Sequence, residues 1–129
     1  EVMQSPTAYK NIFKEIKNFF NSQIRLCFEN NISKNSIVLD PGIGFGKLTN
    51  QNIKLVKNIS KFRDIGFPIM YGVSNKKFLG DILKIEDPQL RSNASVITAL
   101  FLTMQNVSML RVHNVKDTVE MIKLWRTFK

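Results

Sequence analysis

The sequence predicts an α/β fold with a buried parallel sheet, on three observations. Apolar stretches at 36–39, 69–74 and 109–113 have the length of strands and lack polar alternation, which is typical of strands covered by helices on both faces. Helical periodicity follows each stretch, and strands that alternate with helices favour right-handed crossovers and parallel pairing. Each strand also ends in polar side chains, where sites gather in such folds.

One long amphipathic helix precedes the first strand. Ser5, Pro6 and Thr7 predict its start, because a capping hydroxyl is followed by a proline in the first turn. Asn30 and Asn31 mark its end. The apolar residues at helical spacing between these limits are Ile12, Phe13, Ile16, Phe19, Phe20, Ile24 and Cys27.

Three further helices follow the strands. The first is capped by Thr49 or Asn50 and stops at Gly66. The second begins at Asp87, and the last begins at Asn114. The apolar residues that define these helices are Ile53, Leu55, Val56, Ile59 and Phe62 in the first, Leu90, Ile97, Leu100, Phe101 and Met104 in the second, and Val115, Val119, Ile122, Trp125 and Phe128 in the third.

Length and charge limit the classes of protein. A chain of 129 residues fits one domain. The net charge of +9 favours an anionic partner, but the lysines are spread along helices without a basic run, so we expect no nucleic-acid partner. The longest apolar stretch, 96–104, is too short to cross a membrane. The N-terminus lacks a secretory signal pattern, and the lone Cys27 favours a buried thiol in the cytoplasm.

A glycine-rich loop follows the first strand at 40–47 and predicts a binding site. Pro41 imposes an extended conformation on Asp40, and three glycines at alternate positions let the backbone pass close to a ligand. The spacing matches neither a P-loop nor the dinucleotide fingerprint. A single histidine and a single cysteine give no metal-ligand spacing, so we expect no protein-borne metal site.

Functional side chains end all three strands: Asp40, then Ser74 with Lys76 just beyond, then Arg111 and His113. Arg111 and His113 lie two residues apart, so they face the same side of a strand. Two interpretations remain open for them, a shared anion site or a structural ion pair between Arg111 and Asp40.

The motifs together resemble the carboxyl-terminal half of the dihydropteroate synthase family, whose members bind pterins. The segments that carry the resemblance are Asp40-Pro41-Gly42-Ile43-Gly44-Phe45-Gly46-Lys47, Gly72-Val73-Ser74 with Lys76 and Phe78-Leu79-Gly80, and Arg111-Val112-His113, with Met3-Gln4, Tyr9 and Phe13 before them. The resemblance implies a TIM (β/α)8 barrel, of which residues 1–129 form a partial pterin-binding domain with about three βα units and a preceding helix.

The resemblance also implies an activity. The family joins 6-hydroxymethyl-7,8-dihydropterin diphosphate to p-aminobenzoate, releases diphosphate and forms 7,8-dihydropteroate for folate biosynthesis, and it is the sulfonamide target. Asp40 is expected to accept hydrogen bonds from the pterin. Lys76, Arg111 and His113 are the expected catalytic residues, with Lys76 between the two substrates and the other two on the diphosphate.

Four further residues are implied to shape the substrate pocket. Phe45 and Ser74 would line the p-aminobenzoate site, and Gly44 and Gly72 would keep the pocket open to flat rings. Alternatives stand beside two of these roles: Phe45 packed under the loop, and Lys76 as a helix-start lysine with its ammonium group in water.

Magnesium and a second subunit are the partners that the resemblance adds. Mg²⁺ would be held through the amino-terminal half and the diphosphate, and a homodimer would form through the last helices. Asn75 and Asn114 depart from the arginine and aspartate usual in the family, so this chain has less charge near the diphosphate. A non-catalytic interaction module and a pterin-binding methyltransferase are the rival hypotheses. An isolated fragment is expected to be inactive.

Overall fold

A computed structural model describes residues 11–129, so the predicted helix start at Ser5 lies outside the described residues. The helices are α1 (Ile12–Glu29), α2 (Thr49–Lys57), α3 (Lys77–Leu83), α4 (Ser92–Met104) and α5 (Val115–Phe128). The strands are β1 (Met70–Tyr71) and β2 (Met109–Leu110). Short 3₁₀ helices cover Lys34–Ser36, Ile59–Ile65 and Pro88–Arg91.

The predicted strands pair in parallel, as the alternation with helices requires. β1 pairs with β2 in the register Met70 to Met109 and Tyr71 to Leu110. The first predicted strand contributes a single parallel bridge, from Leu39 to Ile69. The three stretches therefore lie side by side in chain order, and their carboxyl ends meet at one edge.

The two faces of this sheet differ in burial. Leu39, Ile69 and Tyr71 point toward the helices and are buried in the core, whereas Val38 is 41% exposed and Met109 47% exposed. Successive strand residues face opposite sides, and no described element of residues 11–129 covers the second face. Within residues 11–129 the sheet is therefore buried on one face only. We call the uncovered side the open face.

α1 is the best match between prediction and structure. The Asn11 side chain accepts a hydrogen bond from the Lys14 backbone N–H at 3.1 Å and caps the helix, and Asn30 ends it as predicted. Phe19 is the exception in the predicted stripe, because its side chain is exposed. The buried residues Ile12, Ile16, Phe20 and Ile24 pack into the same core as the sheet.

The second helical region is capped differently from the prediction. Neither Thr49 nor Asn50 caps α2. Instead Leu48 is the cap residue, and its backbone N–H donates to Gln51 Oε1 at 2.7 Å. The α-helix ends before Asn58, and a 3₁₀ helix continues to Gly66, whose φ of 82° provides the left-handed stop.

Two features of the later helices bear on the predicted element order. α3 begins directly after Lys76, where one alternative for that residue placed a helix start, although the helix is too short to show a clear apolar periodicity. Asp87 does open the next helical region, since its side chain accepts from the Gln89 backbone N–H at 2.9 Å.

The predicted apolar stripes of α4 and α5 are largely exposed. The buried residues of these helices are Ala94, Ser95, Ala99 and Leu102 in α4 and Thr118 and Met121 in α5. The two helices pack on each other, and most of the apolar side chains in the predicted stripes are exposed. Across residues 11–129, no helix is both long and apolar enough to span a bilayer.

Candidate functional site

The predicted site residues meet on the open face, at the carboxyl ends of the strands. Arg111 and His113 follow β2, and Ser74 follows β1. Together with Gly72 and Lys76 they line a cleft of about 630 Å³. The side chains that follow the predicted strands therefore lie together at one edge of the sheet.

Asp40 and Arg111 form an ion pair across this edge. Arg111 Nη2 lies 3.5 Å from Asp40 Oδ2, and the two side chains are 53% and 28% exposed. The other Asp40 oxygen, Oδ1, accepts the Gly42 backbone N–H at 2.8 Å. The pair expected as one of two interpretations thus forms, but it is long and solvent-accessible, so Arg111 remains open to a ligand.

Gly72 makes the position of Arg111 possible. A Cβ built on Gly72 would lie 2.6 Å from Arg111 Nη2 and 2.9 Å from its Cζ. Atoms do not approach so closely without displacement. Arg111 therefore lies directly over the bare backbone of the neighbouring strand, which fixes its guanidinium beside Asp40.

Lys76 and Phe45 form a second contact at the site. Lys76 Nζ lies 4.2 Å from the centroid of the Phe45 ring, within the range of a cation–π interaction. The Phe45 ring is 48% exposed, so the alternative that it packs under the loop is wrong. Burial lowers the pKa of Lys76, Arg111 adds to that effect, and Asp40 opposes it.

Gly44 leaves space for the Lys76 stem. Its φ is +90°, and a Cβ there would lie 3.2 Å from Lys76 Cδ. A side chain at Gly44 would therefore be strained by its backbone and would press on Lys76.

The glycine loop is held by two buried side chains that the sequence analysis did not assign to the site. Lys47 Nζ donates to the carbonyl oxygens of Gly42 at 2.7 Å and Phe45 at 3.0 Å. Asn52 Oδ1 accepts the Gly44 N–H at 2.8 Å. Burial lowers the pKa of Lys47 to about 8, with Asp40 opposing and Lys76 reinforcing this shift. The Lys47 ammonium group is thus used to fix the loop.

Ser74 and His113 contact each other at the end of the strands. Ser74 Oγ accepts the His113 backbone N–H at 3.3 Å and lies 2.8 Å from His113 Nδ1. Ser74 is buried, at 7% exposure, whereas the histidine is exposed toward the cleft. The two residues predicted for different substrates are therefore linked in one hydrogen-bonded pair.

The two asparagines that reduce the charge of the site have structural partners. Asn75 adopts a φ of 58°, a conformation that asparagine tolerates better than most residues. Its backbone N–H donates to Ser95 Oγ at 2.8 Å, and its carbonyl accepts from Arg91 at 3.1 Å. Asn114 caps α5, because its Oδ1 accepts the Asp117 N–H at 3.0 Å.

A family model described as a pterin binding enzyme matches residues 1–113 of the chain. The dihydropteroate synthase of Escherichia coli K12 is 34% identical over 124 residues, which cover 96% of this chain and 44% of that relative. The dihydropteroate synthase of a Synechocystis species is 34% identical over 130 residues, covering 98% of this chain and 45% of the relative. The chain thus spans less than half the length of these curated relatives.

Solved structures match with the same coverage. The dihydropteroate synthase of Stenotrophomonas maltophilia, with imidazole bound in its active site, superposes with a TM-score of 0.92 at 30% identity, covering 97% of this chain and 47% of that one. The Thermus thermophilus enzyme in complex with 4-aminobenzoate gives a TM-score of 0.86 at 34% identity, covering 95% of this chain and 47% of that one. The described strands and helices therefore follow the backbone of these barrels.

Proposed function

The chain belongs to the pterin binding enzyme family and forms an α/β part of its TIM barrel, and on this premise we propose that it acts in a dihydropteroate synthase. The proposed reaction joins 6-hydroxymethyl-7,8-dihydropterin diphosphate to p-aminobenzoate. The observation that carries the proposal is the meeting of Asp40, Lys76 and Arg111 on the open face, with the ion pair at 3.5 Å and the Lys76 ammonium 4.2 Å from Phe45.

The diphosphate end of the substrate is assigned to Arg111 and His113. In the reaction, the bond between the pterin methylene carbon and the diphosphate oxygen breaks, and its electron pair leaves on the diphosphate. The p-aminobenzoate nitrogen then forms a bond to that carbon and loses a proton. Fixed positive charge beside the leaving oxygen stabilises the charge that develops there, and the planar fork of arginine suits a phosphate group.

The pterin end is assigned to Asp40, because a carboxylate accepts two N–H donors of a flat ring. Asp40 Oδ1 is already oriented by the Gly42 N–H, while Oδ2 faces the Arg111 guanidinium at 3.5 Å. When the pterin donates hydrogen bonds to Asp40 and Arg111 binds the diphosphate, these contacts would together replace the ion pair. The pair therefore keeps both groups in place before the substrate arrives.

The p-aminobenzoate site is assigned to Phe45 and Lys76. The exposed face of the Phe45 ring can stack on a second ring, and the Lys76 ammonium beside it can attract the substrate carboxylate. The loop bonds from Lys47 and Asn52 hold Phe45 outward for this purpose.

Magnesium does not fit the residues of this chain. A divalent cation takes several oxygen ligands, and residues 11–129 contain no group of three or more His, Cys, Asp or Glu side chains able to hold one. Asp40, the carboxylate of the site, faces the cations Arg111 and Lys76.

We also propose that residues 1–129 form part of a larger barrel domain in the cytoplasm. Its other strands would cover Val38 and Met109 on the open face, which are costly to leave in water. Exposed apolar residues of α5, among them Leu124 and Phe128, are proposed to contact a second copy. Native mass spectrometry tests both points, since a folded monomer with only the mass of this chain would contradict them.

Isothermal titration of the protein with the pterin diphosphate tests the function. Arg111→Ala removes charge-assisted hydrogen bonds worth about 1.5–3 kcal/mol each, so we expect an affinity loss of roughly 10-fold to 150-fold. The control is Arg25→Ala, which removes an exposed arginine of α1. Equal affinity of Arg111→Ala and the control would contradict the diphosphate site and favour a pterin-binding methyltransferase or a non-catalytic module.

A further inference from the structure

We propose that Ser74 is a positioning residue that orients the His113 imidazole and fixes its proton on Nε2, so that an N–H donor faces the anionic end of the cleft. This inference rests on the proposed function, because it takes the anion to be the diphosphate. This role differs from the place in the p-aminobenzoate wall that the resemblance implies for Ser74.

The Ser74 hydroxyl oxygen contacts His113 at two nitrogen atoms. Its oxygen lies 3.3 Å from the His113 backbone nitrogen and 2.8 Å from Nδ1 of the same residue. The hydroxyl therefore contacts both the backbone and the ring of His113, and this double contact fixes the position of the ring relative to the strand.

Within residues 11–129, the single hydroxyl proton of Ser74 has one available acceptor, which is His113 Nδ1. A backbone N–H can only donate, so Ser74 Oγ accepts there, and a hydroxyl has one proton of its own to donate. Among the described residues, Ser74 Oγ has no hydrogen-bond partner other than His113. Since Ser74 is buried, its proton is used only when it points at Nδ1.

This hydrogen bond determines the tautomer of the His113 imidazole. A neutral imidazole that accepts at Nδ1 carries its proton on Nε2. His113 lines the cleft together with Arg111, so its free edge presents an N–H donor to a bound anion. A neutral donor and a fixed cation then act on the same leaving group.

The tautomer is measured directly by ¹⁵N NMR with histidine-selective labelling. His113 is the one histidine of the 129-residue sequence, and the loss of its signal in His113→Gln confirms the assignment. The spectra are recorded on the neutral imidazole, which the ¹⁵N shifts of the two ring nitrogens identify. We expect one tautomer with the proton on Nε2 in the unmodified protein and a mixture in Ser74→Ala.

Two matched variants separate positioning from general disruption. Ser95→Ala removes another buried serine hydroxyl that does not contact His113, so it should leave the tautomer unchanged. Ser74→Thr keeps the hydroxyl and should keep the Nε2–H form. A proton on Nδ1 in the unmodified protein would overturn the proposal without the use of any variant. Equal tautomer populations in the unmodified protein and in folded Ser74→Ala would overturn it as well.

A titration with inorganic diphosphate links the pair to the ligand. Ser74→Ala should weaken binding about threefold to tenfold, and it should have no further effect in a His113→Gln background, because it acts through the ring. Equal losses in both backgrounds would overturn the positioning role. Absence of diphosphate binding in the unmodified protein would instead contradict the proposed function. The tautomer measurement uses no ligand, so it would still test the Ser74–His113 hydrogen bond.

Discussion

The two faces of the sheet carry different kinds of residue, although they alternate along the same strands. Leu39 and Tyr71 face the helices and are buried, whereas their chain neighbours Asp40 and Gly72 lie at the open face. The pleat separates them by a single residue. Stability and ligand contact are therefore assigned to alternate positions, and substitutions at adjacent residues should have opposite consequences.

Leu39→Ala should give the largest effect, and on stability alone. Removal of a buried leucine side chain costs about 2–5 kcal/mol, and Leu39 is part of the core. We expect that loss in the free energy of unfolding, measured by urea denaturation, with unchanged affinity of the folded protein for the pterin diphosphate. A loss of affinity without a loss of stability would contradict the assignment of the Leu39 face of the sheet to the core.

Gly72→Ala should show the reverse pattern. The new methyl group would displace the Arg111 guanidinium, which lies where the Cβ would be, but the displaced group is the end of a flexible side chain. We expect roughly tenfold weaker binding of the pterin diphosphate, about 1.4 kcal/mol, with stability changed by about 0.5 kcal/mol or less.

Arg111→Ala provides the control for that prediction. Adding Gly72→Ala to it should cause no further loss of affinity, because both substitutions act on the same guanidinium. Additive losses in the titration would show that Gly72 contributes by some route other than Arg111.

Tyr71→Phe should lower stability by a smaller amount. The Tyr71 hydroxyl donates to the Leu55 carbonyl at 2.7 Å in the buried core, and burial together with Asp40 raises the pKa of Tyr71. Loss of the hydroxyl leaves the carbonyl without this donor, which costs about 1–3 kcal/mol. Urea denaturation should show this loss of stability, while the affinity for the pterin diphosphate should stay unchanged in a titration. A change in affinity would mean that the two faces are coupled.

Lys47 should contribute a pH dependence of stability. Its pKa is lowered from 10.5 to about 8 in the folded protein. Between these values the unfolded state binds more protons, so this group makes the free energy of unfolding rise with pH and adds no slope well below pH 8. The neutral amine still has two N–H donors for the Gly42 and Phe45 carbonyls.

Denaturation at about pH 7 and about pH 9.5 tests this sign. The stability advantage of the unmodified protein over Lys47→Met should grow with pH, whereas its difference from Lys57→Met, which removes an exposed lysine, should stay constant. An advantage over Lys47→Met that shrinks as the pH rises would contradict the burial of the ammonium group.

The sequence predicted the parallel sheet and the edge at which the candidate site residues meet, because both depend on local patterns. Three apolar stretches that end in Asp40, Ser74 and Arg111 are sufficient to bring these residues to one edge of a parallel sheet. The resemblance then supplied the expected roles. Val38 is exposed because no described element of residues 11–129 covers the open face.

Other features depend on contacts between distant parts of the chain. The bond from Gly44 to Asn52 and the bonds from Lys47 to two loop carbonyls depend on the three-dimensional path of the loop. Ser74 and His113 lie 39 positions apart and meet only when their strands pair. The periodicity of large apolar residues did not identify the buried positions of α4, which include Ser95 and Ala99.

The most direct test of the account compares Asp40→Asn with the unmodified protein in titrations with the two halves of the substrate. We expect affinity for 6-hydroxymethyl-7,8-dihydropterin, which lacks the diphosphate, to fall about tenfold or more, because the carboxylate loses charge-assisted bonds. Affinity for inorganic diphosphate should stay the same or increase, because Arg111 loses its competing partner. Unchanged pterin affinity, or weaker diphosphate binding, would contradict the assignment of the open face.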